Sequence, residues 1–208
     1  MMDDIKLYCF GESGNCYKAA LMLELCGLKW TPIWVDFFNG ETRTPEYRST
    51  INEMGEAPVL LHGGKKLTQS GVILDYLAEA TGKFGPKNDD ERREILRWML
   101  FDNHKFTSYI ATLRYMIFLA KTGETPVTEF LRGRVLGSLK IVDGHLAHQK
   151  FLLGERPTIA DFSLCSYLYY GEELPFALSS FEHVNTWLER LKGLPRWKHP
   201  YDLMPRRK

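Results

Sequence analysis

Cysteine is scarce in this chain of 208 residues. The four present, Cys9, Cys16, Cys26 and Cys165, form no C-x-x-C pair and show no close metal-ligand spacing. That excludes a disulfide scaffold and a cysteine-held zinc, and no metal is expected. Long apolar runs are also missing: the longest, around Tyr115 to Ala120, falls far short of the ~18 residues that cross a bilayer. The start, Met1-Met2-Asp3-Asp4, is acidic where a signal peptide is basic, so a cytoplasmic setting is the expectation. Neither charge sign dominates, with 27 Lys and Arg against 26 Asp and Glu. No global field therefore draws the chain to nucleic acid or to an anionic membrane. Repeats and low-complexity tracts are absent as well. What is there is an ordinary globular mixture, 44% hydrophobic, 13% aromatic and 25% charged, long enough for one large domain or two modest ones.

The balanced total conceals two unlike halves. Residues 1–82 carry 7 basic and 11 acidic side chains, net −4, against 20 and 15, net +5, in residues 83–208. Ile5 to Phe10 alternates like a strand, and Asn15 to Cys26 has helical spacing with Gly27 as its stop. Trp30 to Asp36 reads as a second strand, and Pro32, which lacks a donor N–H, assigns it to a sheet edge. After a helix or loop, Pro58 to His62 and Lys65 to Thr68 flank Gly63-Gly64, the signature of an antiparallel hairpin. Ser70 reads as the N-cap of an amphipathic helix through Val72, Ile73, Tyr76, Leu77 and Ala80, closed by Gly82.

Lys83-Phe84-Gly85-Pro86-Lys87-Asn88 combines breakers with charge and predicts a linker over 83–89. Beyond it, Asp90 to Lys121, Pro126 to Gln149, Ile159 to Glu173 and Ser180 to Lys192 all read as helices. Thr125-Pro126 supplies a cap and first-turn proline, and Ser179 with Glu182 a capping box. The basic end, Pro205 to Lys208, reads as a frayed tail. The expected organisation is an α/β domain over 1–82 and an all-α domain over 90–208.

Three short stretches carry chemistry. Ser13-Gly14-Asn15-Cys16 joins the first strand to the first helix, outside the carboxyl end of the strand and at the positive end of the helix, where α/β folds bind anions. Taken alone, Ser or Asn here is no more than a cap. Ser13 and Cys16 stand three apart like the two sulfurs of a C-x-x-C motif, but Ser13 replaces the attacking sulfur, which argues against a dithiol mechanism within the chain. Ala57-Pro58 opens the third strand. Gln69-Ser70 brings an amide and a hydroxyl to a second helix N-terminus, suited to a carboxylate together with an ammonium group.

In order and type these stretches resemble the cytosolic glutathione transferase family over nearly the whole chain, and within it the bacterial-type members with a Ser/Asn active site, related to those that resemble disulfide reductases. Ser13 to Lys18 resembles the family's activation segment, Glu56-Ala57-Pro58-Val59-Leu60 its cis-proline strand, and Gln69-Ser70-Gly71-Val72-Ile73 its segment for the γ-glutamyl end of glutathione. Thr158-Ile159-Ala160-Asp161-Phe162 resembles its helical-domain capping box, a structural motif. The resemblance implies a thioredoxin-like N-terminal domain followed by an all-α C-terminal domain, with glutathione as co-substrate. It casts Ser13 and Asn15 as catalytic and Ser13, Asn15, Ala57, Pro58, Gln69 and Ser70 as glutathione-binding, with a cis Pro58 presenting the Ala57 backbone to glutathione like an added strand. Thr42, Arg43 and Asn52 all remain open as the contact for the glycyl carboxylate.

A free thiol near pKa ~8.5 is only a few per cent thiolate at neutral pH. Each unit of lowering requires ~1.4 kcal/mol of preference for the thiolate, within reach of one or two charge-assisted hydrogen bonds and a helix dipole. Cys16 is the rival to Ser13, although cysteine-type members place their cysteine at the position of Ser13, and a small buried helix residue is the plainer reading. Tyr8, within the first strand, reads as a packing residue. For the electrophile, His104 and Tyr109 are the candidates. The opposite charges of the halves fit the homodimer the family implies. The function expected is transfer of glutathione to a small hydrophobic electrophile. The alternatives are glutathione-dependent disulfide or peroxide reduction, and a non-catalytic ligand-binding or regulatory protein on the same fold.

Overall fold

The computed structural model describes residues 4–207. They form two compact units, one made of the residues up to Lys83 together with those from Pro195 onward, the other of Phe84–Leu194.

The first unit holds strands β1 (Ile5–Cys9), β2 (Trp30–Trp34), β3 (Val59–His62) and β4 (Lys65–Thr68) in the order β2-β1-β3-β4. β1 pairs with β2 in parallel, and β3 is antiparallel to both β1 and β4. Pro32 lies on β2, an edge strand as its missing N–H requires. Gly63 and Gly64 both have positive φ, 54° and 77°, the conformation of a two-residue hairpin turn. Ile5, Leu7 and Cys9 alternate inward from β1. Helix α1 (Gly14–Cys26) is buried almost all round because it packs against β1, helix α3 (Ser70–Thr81) and helix α9 (Pro200–Leu203). Between β2 and β3 lie a tight turn, Glu41–Arg43, and a short helix α2 (Pro45–Thr50) capped by the Thr44 hydroxyl.

Of the expected frayed tail, residues 205–207 are described, and Pro205 is tied down. Residues 195–207 belong with the α/β unit, whereas the sequence reading assigned them to the helical domain. Gly11 N–H donates to the Pro205 carbonyl at 2.6 Å, the Tyr17 hydroxyl to the Lys198 carbonyl at 2.7 Å, and Lys198 Nζ pairs with Glu24 at 3.1 Å. Lys208 lies outside the described residues.

The second unit is all helical. The expected helix from Asp90 to Lys121 is interrupted: α4 (Asp89–Phe101) passes into π-wound turns at Asp102–Thr107, α5 (Ser108–Arg114), and a second π-wound stretch at Tyr115–Leu119. The first wound turn is tied by buried Asp102, whose carboxylate accepts from the Thr107 hydroxyl at 2.7 Å and the Ser163 hydroxyl at 2.5 Å. Helix α6 (Pro126–Leu146) starts at Thr125 and Pro126 as expected. α7 (Ile159–Cys165) tightens into a 3-10 turn from Ser166 and breaks at Gly171, so the expected helix to Glu173 is not continuous. α8 spans Glu182–Lys192 and is preceded by Phe181 with no side-chain cap, so the Ser179/Glu182 capping box does not form.

The Thr158/Asp161 box does form and reaches further than its local motif. Asp161, fully buried, accepts from the Thr158 and Leu152 N–H groups, the Thr158 hydroxyl and the Trp187 indole N–H at 2.8–3.1 Å. Burial pushes its carboxyl above the usual carboxylate range, and these four donors act in the opposite direction. Arg114, also buried, pairs with Glu173 and lies 3.8 Å over the Tyr170 ring.

Candidate active site

Ser13 is the N-cap of α1. Its backbone is extended, its hydroxyl oxygen accepts from the Cys16 N–H at 3.1 Å, and the residue is 7% exposed. A hydroxyl can accept and donate at once, so this bond leaves the Ser13 O–H proton available. Asn15, the second residue of the helix, is half-buried, and its Oδ1 accepts from the Ser70 hydroxyl at 3.3 Å. Ser70 is the first residue of α3. The bond therefore joins the first turns of α1 and α3, and two helix N-termini, each with unpaired N–H groups and partial positive charge, open side by side.

Ser70 is not the N-cap the sequence suggested. Gln69 holds that position with φ 66° and ψ 118° and makes no side-chain cap, which leaves the Ser70 hydroxyl to reach Asn15. Gln69 is exposed, and its amide nitrogen donates to Glu56 Oε2 at 2.8 Å and lies 3.3 Å from Met54 Sδ.

The approach to β3 is a fixed loop. The Ala57–Pro58 bond is cis. Among the described residues, the Ala57 main chain has no hydrogen-bond partner. Just before it, the Glu56 carbonyl accepts from the Tyr47 hydroxyl at 3.0 Å and from Asn52 Nδ2 at 2.9 Å, both side chains being buried. Burial pushes the Tyr47 phenol up, which keeps it a proton donor. Gly55 has φ 68°, and a Cβ there would lie 2.8 Å from the Thr42 carbonyl, so this turn requires glycine. Of the three candidates for a carboxylate contact, Thr42 is buried, Asn52 is engaged by Glu56 and by the Met54 N–H, and Arg43 alone is exposed. Sequence reasoning quoted Glu56 only as part of a motif and missed Tyr47; a bond between Glu56 and Gln69 is not visible in a linear pattern.

Cys16 is fully buried, and burial pushes its thiol up to about 11, with hydrogen bonds to the Ser13 side chain and the Phe10 backbone offsetting part of the effect. Cys9 is buried too, and its thiol is likewise raised by burial. His104 and Tyr109 belong to the other unit: His104 is exposed on the first π-wound turn, and Tyr109 packs on α6, edge-on to Phe130 at 6.5 Å with the Arg134 guanidinium 5.3 Å from its ring centre. No group of three or more His, Cys, Asp or Glu side chains suited to a metal occurs among the described residues. None of the described helices is long and apolar enough to cross a membrane.

Comparison with known proteins agrees with this layout. Family models for the glutathione S-transferase N-terminal domain and C-terminal domain match residues 3–79 and 106–195. The chain is 30% identical to glutathione S-transferase F14 of Arabidopsis thaliana, over 98% of this chain and 88% of that protein. The crystal structure of a glutathione S-transferase from Pseudomonas fluorescens Pf-5 superposes with TM-score 0.90 at 32% identity, covering 96% of this chain and all of that one. A second structure from Pf-5, a glutathione transferase family member with two glutathione bound, superposes with TM-score 0.80 at 25% identity over 92% and 89% of the two chains. The α/β unit with its four-stranded sheet, the helical unit, and the matches to both domains together place this chain in the glutathione S-transferase family.

Proposed function

We propose that the chain binds glutathione in its first unit, ionises the thiol beside Ser13 and delivers the thiolate to a small hydrophobic electrophile. The observation that carries this reading is the Ser70–Asn15 bond, which sets the N-termini of α1 and α3 side by side. Glutathione is an anion with a carboxylate at each end, and that pair of helix ends offers N–H donors and positive potential to one carboxylate and to a developing thiolate. The unpartnered main chain of Ala57, next to Pro58, suits the peptide backbone of glutathione as an added strand. Gln69 and Ser70 take the γ-glutamyl end, and exposed Arg43 is the cation suited to the glycyl carboxylate.

Ser13 is the thiolate donor in this scheme, since its oxygen is held by the Cys16 N–H while its proton is not used by the cap. The Asn15 amide, fixed through its oxygen, supplies a second donor through Nδ2. A charged hydrogen bond of ~1.5–3 kcal/mol lowers a thiol pKa by about 1–2 units, enough to make the thiolate the main form near neutrality. Burial of Cys16 supports a structural role for it. His104 and Tyr109 remain the candidates for electrophile contact, and the charge difference between the halves supports a homodimer. A second reading, in which the same thiolate reduces a mixed disulfide of glutathione and releases oxidised glutathione, draws on the family member that carries two glutathione.

The test is calorimetric glutathione binding, followed by turnover with a chloronitroaromatic, a peroxide and a glutathione mixed disulfide, on wild type, Ser13→Ala, Asn15→Ala and Cys16→Ser. Conjugation lost in the Ser13 variant and kept in the Cys16 variant is the expected pattern. Absence of glutathione binding at millimolar concentration rejects both enzymatic readings, and loss of disulfide reduction in Cys16→Ser alone rejects the structural role of Cys16.

A further inference from the structure

The turn from Phe10 to Ser13 joins β1 to α1 and is closed by the Ser13 N–H on the Phe10 carbonyl at 3.2 Å. Ser13 therefore belongs to two local structures. As N-cap of α1 it gives its oxygen to the Cys16 N–H. As the last residue of the turn it takes the extended backbone, φ −97° and ψ 113°, that directs its side chain. The two central residues of the turn are each met by the C-terminal segment of the same compact unit. The Gly11 N–H donates to the Pro205 carbonyl at 2.6 Å, and Glu12 Oε1 accepts the Arg207 N–H at 3.4 Å. We infer that residues 205–207 are a positioning segment for the Ser13 hydroxyl, an inference that rests on Ser13 being the donor to the glutathione thiolate.

Three features argue that this segment is fitted to the turn rather than resting on it. A Cβ on Gly11 would lie 2.9 Å from Arg206 Cγ, 3.2 Å from the Pro205 carbonyl oxygen and 3.3 Å from Tyr201 Cδ1. The φ of Gly11 is not positive, so the missing side chain answers to the space the segment fills and not to backbone conformation. The segment also has its own anchor: the Arg206 guanidinium lies 3.7 Å over the ring of Tyr201 in α9, and α9 packs on α1. Finally, it reaches the aromatic group at the start of the turn, where Phe10 stacks on Phe37 at 4.8 Å and meets Phe38 edge-on, with the Arg207 guanidinium 5.4 Å from the Phe38 ring centre. A donor stabilises developing charge best when its direction is set beforehand by its supports. The segment acts through Gly11 and Glu12, without contact with glutathione.

The experiment is a set of double-mutant cycles on kcat/KM against pH with a chloronitroaromatic, together with ultraviolet titration of the bound thiolate. Gly11→Ala in the full-length chain pushes the segment off the turn, and a chain ending at Met204 removes it. Each is expected to lower kcat/KM about tenfold below the wild-type thiol pKa, short of the ~10²-fold that a 1 Å misplacement can cost. The gap closes at high pH, where both proteins are fully ionised. Combined, the two changes should do no more than either alone, because they act on one contact. Added to Ser13→Ala, neither should lower kcat/KM further. A merely structural role would lower the melting temperature in every background and leave the pH profile in place. That unmoved profile in Gly11→Ala overturns the inference, as does a tenfold loss that persists in the Ser13→Ala background or, for Gly11→Ala, in the shortened chain. The shortened chain is used only where circular dichroism shows it folded; Gly11→Ala with Ser13→Ala decides the matter without it. If the thiol of glutathione bound to wild type ionises no more readily than in water, the thiolate reading itself fails, a result separate from a lowered thiol pKa that the variants leave unchanged.

Discussion

Replacing Ser13 with Ala tests two roles of one hydroxyl. The first is structural: the Ser13 oxygen accepts the Cys16 N–H at 3.1 Å, and loss of such a cap costs about 1 kcal/mol. For a chain of this size that lowers the unfolding midpoint by about 2–4 °C. The second is chemical: without the O–H donor, the thiolate of bound glutathione loses one charged hydrogen bond of ~1.5–3 kcal/mol, and its pKa rises by about 1–2 units. The sign then follows. Below the wild-type thiol pKa the variant holds about 10–100 times less thiolate, and kcat/KM falls in proportion; above the variant's raised pKa both proteins are fully ionised and the gap closes. The assay is kcat/KM against pH with a chloronitroaromatic, together with ultraviolet titration of the enzyme-bound thiolate. Ser13→Gly separates the two roles, because glycine at an N-cap costs only a few tenths of a kcal/mol, yet it removes the same hydroxyl. It should reproduce the displaced pH profile with little loss of stability. A profile that stays in place in both variants refutes thiol activation by Ser13.

Four further outcomes follow from the same physical arguments. All four cysteines are buried, so a disulfide reagent should label the native chain very slowly and release four equivalents once guanidinium unfolds it. Because burial holds the Cys16 thiol up at about 11, above its unfolded value, the associated stability is complete below pH ~9 and is lost as the pH rises towards the folded value; Cys16→Ala should flatten that part of a urea-midpoint profile. Asp161→Ala leaves the Leu152, Thr158 and Trp187 N–H groups buried without their acceptor, at a cost of about 3–5 kcal/mol. Asp161→Asn, which retains an acceptor oxygen, should cost clearly less in the same urea titration. Gly55→Ala forces a side chain onto the Thr42 carbonyl at φ 68°, and a loss of about 1–3 kcal/mol is expected, with weaker glutathione binding because Glu56 and Ala57 follow directly.

Local chemistry made much of the fold readable. Pro32 marked an edge strand because a missing donor cannot be hidden in a ladder, and Gly63-Gly64 marked a hairpin because few residues accept its φ angles. Thr158 and Asp161 are three apart, so their box was legible; the arrival of Trp187 on the same carboxylate was not. The breaks after Phe101 and at Gly171 escaped detection because apolar spacing continues across them, while the ties that shape them, such as Ser163 to Asp102, span long stretches of chain. The site divides along the same line. Ser13 as a cap was visible, whereas the Asn15–Ser70 bond joins residues 55 apart. The reading of Ser70 as a cap failed because Gln69 adopts a left-handed backbone that propensity does not foresee. Nor could the sequence show that Asn52, an open candidate for a ligand contact, holds the Glu56 carbonyl.

The return of residues 195–207 to the first unit makes that unit discontinuous, with the helical unit spliced into it as an insertion. On the ribosome, β1 and α1 emerge before the helical unit and wait for it to be made before Pro205 arrives to accept the Gly11 N–H and Lys198 the Tyr17 hydroxyl. The loop that leads into Ser13 is thus completed by residues that follow the whole helical unit in sequence. A chain cut before Pro195 would keep Ser13, Asn15, Ala57, Pro58, Gln69 and Ser70 and still lack the contacts that Lys198 and Pro205 make with Tyr17 and Gly11.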